Sequence, residues 1–434
     1  RGFNLHAGSQ MRLAVLALGE DTYEFIWSFH HILMDGWCGS ILIKEFFELY
    51  YGLLQGRLPE LKPVHPYAAY FEWLAKQNKA ATLAYWKEYL SGYESLSTLP
   101  SKNTATNTVF NSQKQSLFVD GAIRTGLRDL CADLGITESS FIQGIWGTLL
   151  GRYNNTSDVV FGAVVAGRPG EVAGIEDMIG LFINTVPVRI RFNDNSTVKT
   201  LLQDVQKGSI ESTSHHYVQL AEVQGESELG RNLFDHILIY ENYPVQDMLG
   251  TEAASEEQPR LSLISTNIVE QTNYDLTIVV LPGESLEIRF IFNANRYDED
   301  LISRISKHFY ALITHAVQSP AKAVHELAML GHDEQDQLIH DFNNTAIAYE
   351  VDGSILSLFD RQVNMHPDAA ALLFNNNTMS YADLDAHANR FANFLHKNYA
   401  LQQGDLAAIL LERSEWMIIT ILGILKAGAA YLPI

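Results

Sequence analysis

The chain has 434 residues, of which 47% are hydrophobic and 19% are charged, and its formal net charge at pH 7 is −21. This length predicts two or more domains, because a single hydrophobic core rarely grows beyond about 250–300 residues. The negative charge argues against nucleic acid or an anionic membrane as a main partner, since phosphate groups would be repelled over most of the surface.

The sequence contains two cysteines, Cys38 and Cys131, which are too few for a disulfide framework and fit a reducing cytosol. No apolar run reaches the roughly 20 residues that span a bilayer. The first residues have neither the basic nor the apolar region of a signal peptide, and they resemble a fragment boundary. We therefore expect a cytoplasmic protein.

The first predicted elements are two strands joined by a polar turn. Apolar residues alternate over residues 11–18, the turn follows at residues 19–21, and the apolar run at residues 25–29 predicts a buried strand. An amphipathic run at residues 41–54 predicts a helix. The intervening sequence FHHILMDGWCGS, residues 29–40, therefore lies on a strand-to-helix turn.

This turn suits acyl-transfer chemistry. Backbone N–H groups near Gly36 can face a developing oxyanion while an imidazole at the strand end reaches the reacting group. Neighbouring strand residues point to opposite sides, so we expect His31 to face the site and His30 to pack. Asp35 is expected to fix the loop through a salt bridge to an arginine. Taken alone, a His-x-x-x-Asp pattern is common, and a histidine at a strand end is usually structural.

Spacing does not choose the arginine that pairs with Asp35. Arg168 and Arg152 are the first candidates, and Arg189 is the third. Cys38, beside the motif, is expected to be a small buried side chain rather than a nucleophile.

Alternating helices and strands downstream predict a mixed α/β lobe. Aromatic residues at helical spacing occupy residues 66–74, and residues 100–112 predict an exposed loop. The run at residues 179–189 predicts a loop that leads into an edge strand, because Pro187 has no N–H for a central ladder. The other predicted elements are helices at residues 120–134, 139–153 and 298–317, and strands at residues 158–165, 234–240, 276–281 and 286–292.

Three further features complete the pattern. His215 and His216 do not predict a metal site, because adjacent histidines rarely bind one ion and no further ligand completes a tetrahedral set. Residues 331–351 are polar and predict a linker. Beyond them, Ser380 and Asp383 predict a capping box at the start of a helix. The buried stripe of that helix is predicted to consist of Leu384, Ala388, Phe391 and Leu395.

The string HHILMDGW at residues 30–37 resembles the third core motif of nonribosomal peptide synthetase condensation domains, which belong to the chloramphenicol acetyltransferase-like acyltransferases. Residues 66–74 and 179–189 are similar to the fourth and fifth motifs. Residues 215–218 and 231–234 are similar to the sixth and seventh. The variant HILMDGWC is most similar to the subtype whose donor ends in a D-residue.

Residues 380–384 and 425–434 resemble the beginning of an adenylation domain. The resemblance implies an α/β architecture: a two-lobed condensation domain at residues 1–325 whose N-terminal lobe lacks its first part, a linker at 326–351, and an N-terminal fragment of an adenylate-forming domain at 352–434. The phosphate loop and catalytic lysine of adenylation domains lie further along, so this fragment is not expected to adenylate by itself.

The resemblance implies that the chain is an acyltransferase that forms peptide bonds in antibiotic and secondary metabolism. The donor leaves a thioester on a phosphopantetheine arm and joins the α-amine of a carrier-bound acceptor. The expected partners are the donor and acceptor peptidyl carrier domains, which carry the phosphopantetheine, and the neighbouring adenylation domain. By this resemblance His31 and Gly36 carry the chemistry, His30, Asp35, Arg168 and Arg152 are structural, and the tunnel is lined by Trp37, Asn184 and Thr185.

Two alternatives remain open at the level of the sequence. An epimerisation domain or a free acyl-CoA acyltransferase could share the His-x-x-x-Asp-Gly pattern. A degenerate condensation-like domain could instead recruit carrier domains or tailoring enzymes without catalysis.

Overall fold

The computed structural model describes residues 2–102, 110–241, 261, 264, 270–348 and 353–434. The chain forms two compact units, Arg1–Leu338 and Ile339–Ile434. Residues 103–109 of the predicted loop and residues 349–352, where the predicted linker meets the next domain, lie outside the described residues.

The helices and strands of the first unit follow the predicted α/β alternation. Its helices are α1 (Gly36–Leu54), α2 (Ala68–Leu74), α3 (Lys79–Leu90), α4 (Gly121–Leu134), α5 (Glu138–Asn154), α6 (Val198–Ser212), α7 (Leu220–Gly225), α8 (Glu299–Gln318) and α9 (His332–Asp336). Its strands are β1 (Met11–Ala17), β2 (Tyr23–Phe29), β3 (Ser112–Val119), β4 (Asp158–Val165), β5 (Asn184–Arg191), β6 (His236–Tyr240), β7 (Leu276–Leu281) and β8 (Leu286–Asn293).

A six-stranded mixed sheet forms the centre of this unit, with the order β3-β8-β7-β6-β4-β5. Alternate residues of β4 enter different cores: Val159 and Phe161 pack with α4, α5, α6 and α8, whereas Val160 packs with α3 and α7. Helices therefore cover both faces, as expected for a strand whose side chains alternate. β5 lies at the sheet edge, as Pro187 predicted.

The predicted hairpin is present, with Met11 of β1 opposite Phe29 of β2. The prediction that β2 is buried was wrong: Phe25 is 53% exposed and Ile26 is 44% exposed. β1 and β2 form a separate two-stranded sheet. A hairpin buries apolar side chains only when another layer packs on it, and pattern alone does not reveal whether that layer is present.

Helix α1 begins at Gly36, five residues before the predicted start at residue 41. Asp35 is its N-cap residue, but its side chain makes no capping hydrogen bond. The carboxylate instead binds the N–H of Phe182 and the guanidinium of Arg168. This N-cap therefore lacks the side-chain contact that an aspartate usually makes there. By contrast, Thr137 caps α5 with its side chain, accepting a hydrogen bond from the N–H of Ser140 at 3.1 Å.

The second unit contains α10 (Ile355–Met365), α11 (Tyr381–Tyr399), α12 (Glu415–Lys426), β9 (Ala370–Phe374), β10 (Asn377–Ser380), β11 (Leu406–Ile409) and β12 (Ala430–Pro433). Ser380 caps α11 as predicted. The carboxylate of Asp383 accepts from the Ser380 hydroxyl at 2.7 Å, rather than from the N-cap backbone N–H that a capping box requires. Leu384 and Ala388 of the predicted stripe are buried.

Candidate active site at the start of α1

The two motif histidines lie just after β2 and have different surroundings. The ring of His30 accepts a hydrogen bond at Nδ1 from the N–H of Ile32 at 3.1 Å and packs edge-on against Phe3. The side chain of His31 is 48% exposed, and its Nε2 lies 3.9 Å from Oε1 of Glu270. His31 is therefore open to a substrate, whereas His30 is engaged by its own loop.

Asp35 is fully buried and binds three groups that come from outside its loop or from the next helical turn. One carboxylate oxygen accepts from the N–H of Phe182 at 3.0 Å. The other lies 3.3 Å from Nη2 of Arg168 and 3.3 Å from the sulfur of Cys38. These contacts tie the start of α1 to the segment between β4 and β5, which fixes the loop that carries His31.

Arg168 is the arginine that pairs with Asp35. Its guanidinium also donates to the carbonyls of Ile175 and Met178, and it lies 4.1 Å from the centre of the Phe182 ring. Nearly all of its side chain is buried, so the charge of Asp35 compensates a charge that water cannot reach.

The structure excludes Arg152 and Arg189 as partners of Asp35, and the prediction that Arg152 belongs to the site was wrong. Arg152 sits in the last turn of α5 and donates to the carbonyls of Val324 and Leu327, among others, so it does not belong to this site. Arg189 makes a two-point ion pair with Asp158, its neighbour across β4 and β5. Both guanidinium groups are therefore bound by groups outside this site. Sequence spacing does not show these contacts.

Gly167 allows the chain to bring Arg168 to this position. Its φ is +60°, and a Cβ atom there would lie 1.8 Å from the carbonyl oxygen of Phe182. Only glycine tolerates both the left-handed backbone and this approach. The predicted turn after β4 is therefore also the point where two backbone segments of the site meet.

Cys38 is buried, as predicted, and its thiol also makes polar contacts within the site. It is fully buried, and its sulfur lies 3.2 Å from the Gly180 carbonyl as well as near Asp35. Burial raises the pKa of the thiol, so the group is a protonated donor rather than a nucleophile.

We expect Cys38→Val to lower the free energy of unfolding by about 1–3 kcal/mol, because it removes a buried hydrogen-bond donor from the Asp35 carboxylate. Cys38→Ser, which keeps a donor, should retain more stability. Urea unfolding measures both. Cys131→Val in the apolar core is the control and should cost less than about 1.5 kcal/mol. Equal losses at the two cysteines would contradict the assigned contact.

The residues predicted to line a tunnel make backbone contacts. Nε1 of Trp37 donates to the carbonyl of Glu176 at 3.0 Å. The side-chain amide of Asn184 donates to the carbonyls of His216 and Val218, and its oxygen accepts from the N–H of Thr185. Trp37 thus ties the start of α1 to the segment between β4 and β5, and Asn184 ties the start of β5 to residues 216–218.

Gly36 is the first residue of α1. A backbone N–H in the first helical turn has no acceptor one turn earlier within the helix, so it can donate to a negatively charged oxygen at the helix N-terminus. This geometry suits an oxyanion contact.

The predicted histidine pair makes separate contacts. His215 stacks on Tyr85 with ring centres 4.0 Å apart, and the hydroxyl of Thr82 lies 3.0 Å from its Nδ1. Burial, followed by the charge of His215, lowers the pKa of His216 to about 4. Within the described residues, no group of three or more His, Cys, Asp or Glu could hold a metal ion.

Glu270 and the N–H of Phe182 were not among the residues predicted from the sequence. Neither carries a local signal, because the first is an ordinary acidic residue far along the chain from His31 and the second is a backbone group.

Of the helices that the structure describes, none is long and apolar enough to cross a membrane.

Comparisons with known proteins agree with this fold. The family model of the condensation domain matches residues 1–339, and that of the AMP-binding enzymes matches residues 359–434. The whole chain is 36% identical to part of bacitracin synthase 3 of Bacillus licheniformis and 37% identical to part of tyrocidine synthase 2 of Brevibacillus parabrevis. It covers 7% and 12% of those proteins, and 34% of surfactin synthase subunit 3 of Bacillus subtilis, to which it is 36% identical.

Among solved structures, a four-domain nonribosomal peptide synthetase bound to AMP and glycine matches 99% of this chain and 34% of its own, with a TM-score of 0.78 and 21% identity. The X-domain from teicoplanin biosynthesis matches 76% of each chain, with a TM-score of 0.63 and 20% identity. The chain belongs to the condensation-domain family of nonribosomal peptide synthetases, a class of amide-bond-forming acyltransferases, and continues into the start of an AMP-binding domain.

Proposed function

We propose that this chain forms peptide bonds in nonribosomal peptide synthesis. A donor carrier domain presents a peptidyl or aminoacyl thioester on phosphopantetheine, and an acceptor carrier domain presents an aminoacyl thioester. The α-amine of the acceptor attacks the donor carbonyl, and the donor thiol leaves. The observation that carries the proposal is the half-exposed His31, next to a loop fixed by the buried Asp35–Arg168 pair.

His31 acts on the attacking amine. Its Nε2 orients the amine or takes a proton from it as the carbon–nitrogen bond forms, and the sulfur of the departing arm receives a proton. The N–H of Gly36 stabilises the negative oxygen of the tetrahedral intermediate. The phosphopantetheine arms belong to the carrier domains, and this chain supplies the site where they meet.

The finer proposal is that the donor ends in a D-residue. It is supported by the string HILMDGWC at residues 31–38 alone. The test offers the full-length protein two loaded donor carriers that differ only in the configuration of the last residue, and intact-mass spectrometry follows peptide on the acceptor carrier. Product from the D-ended donor alone supports the subtype. Product from both donors at similar rates would support peptide-bond formation and would contradict the preference for a D-ended donor.

A non-catalytic role is the second candidate, because the fold also matches the X-domain from teicoplanin biosynthesis, which has been solved in a complex with OxyB. Such a chain would bind carrier domains or a tailoring enzyme without forming product. The exposed imidazole of His31 favours catalysis. Carrier binding without peptide formation would favour recruitment instead.

A further inference from the structure

Glu270 faces His31 across a gap that opens to solvent. Its Oε1 lies 3.9 Å from Nε2 of His31, and the two side chains are 47% and 48% exposed. This separation is too long for a good hydrogen bond between them. A nitrogen atom placed beside the pair, off the line that joins Nε2 and Oε1, can lie at about 3 Å from each, within ordinary hydrogen-bond distance. The two groups can therefore share one amine nitrogen on their solvent-exposed side.

The charges around Glu270 favour a cation in that gap. Glu241 lies nearby, and its pKa is raised by burial and then by the charge of Glu270, while Arg289 acts in the opposite direction. Arg289 is already ion-paired with Glu287 at 2.9 Å. Among the described residues, the groups with a recorded interaction with Glu270 are thus the imidazole of His31 and the carboxyl of Glu241, and the guanidinium that acts on Glu241 has its own partner. A positive group from a substrate would be attracted here.

We propose that Glu270 binds the α-ammonium group of the acceptor aminoacyl thioester and places its nitrogen against His31. This proposal rests on the proposed function. Unperturbed α-amino groups have a pKa of about 7.7–8.0, so a large share of acceptor arrives as the cation. A carboxylate offsets that positive charge, whereas a neutral imidazole can only accept a hydrogen bond from it.

The proton balance follows from this arrangement. The bound ammonium loses one proton to water through the Glu270 carboxylate, which leaves a neutral amine between the two side chains. As that amine attacks the donor carbonyl, its second proton passes to His31. The carbon–sulfur bond then breaks, and the same proton goes to the departing thiolate. One amide, one thiol and one solvent proton result.

The test separates binding of the ammonium group from support of the fold. Two probes are compared by calorimetry on the full-length protein: an aminoacyl pantetheine whose thioester is replaced by an amide, and the same compound without its α-amine. Wild type should bind the amine-bearing probe about two- to fivefold more tightly, the range of a partly exposed ion pair. Glu270→Gln should remove that difference. Glu284→Gln, an exposed change of equal charge in the β7–β8 turn, should keep it.

Three results would overturn the proposal: equal binding of the two probes by wild type, an unchanged affinity ratio in Glu270→Gln, or binding of neither probe at millimolar concentration. An unchanged ratio with weaker binding of both probes would assign Glu270 a structural role. Peptide formation is measured in parallel. Amine-dependent binding without any peptide product would refute the proposed function while it supports Glu270 as the ammonium ligand.

Discussion

Replacement of His31 with alanine is expected to slow peptide-bond formation by about 10²–10⁴-fold, the usual contribution of a positioned general base. The rate is measured in single turnovers between loaded donor and acceptor carriers. Because the side chain of His31 is half exposed, the free energy of unfolding should change by less than about 0.5 kcal/mol.

The matched control is His332→Ala, since that side chain is 85% exposed and lies on α9. It should keep the wild-type rate. A neutral amine is already a nucleophile, so a purely orienting imidazole would leave appreciable activity in His31→Ala. A loss of less than about tenfold in His31→Ala, together with a wild-type rate that does not fall as the imidazole becomes protonated, would reject the role of general base. His31 would then act by orienting the amine.

Replacement of Asp35 with alanine is expected to cost about 3–5 kcal/mol of folding free energy. The change leaves the buried guanidinium of Arg168 without its counter-charge and the N–H of Phe182 without its acceptor. Unfolding in guanidinium chloride, followed by circular dichroism, measures the loss. We expect the free energy of unfolding to fall more than the rate of the chemical step.

A surface ion pair supplies the comparison for that variant. Lys62 and Asp177 are 3.2 Å apart with side chains 70% and 45% exposed, so Asp177→Ala should cost less than about 1 kcal/mol. A soluble, stable Asp35→Ala protein that only turns over more slowly would show that Asp35 acts in the chemistry rather than in the loop.

Much of the fold could be predicted because its signals are local. Strands β1, β4, β7 and β8 lie where strand patterning placed them. Helices α5 and α8 have bounds within about a residue of the prediction, since the apolar stripe of each helix and the N-cap of α5 depend on residues that are close in the sequence.

The site could be predicted only in part, because its geometry depends on contacts between distant residues. Arg168, Arg152 and Arg189 are equivalent in the sequence, and only the tertiary structure shows that two of them are occupied elsewhere. The start of α1 was missed for the same reason: the side chain of its N-cap, Asp35, binds residues from another segment. Burial of β2 depends on a covering layer rather than on β2 itself.

The most direct test of the central claim is intact-mass detection of peptide transfer between two loaded carrier domains, with the full-length protein as catalyst. We predict that the acceptor carrier gains the mass of the donor acyl group with wild type, and that His31→Ala gives at most a few per cent of this product in the same time. Both carriers bound to the wild-type protein, with no mass gain on the acceptor, would contradict catalysis and favour recruitment.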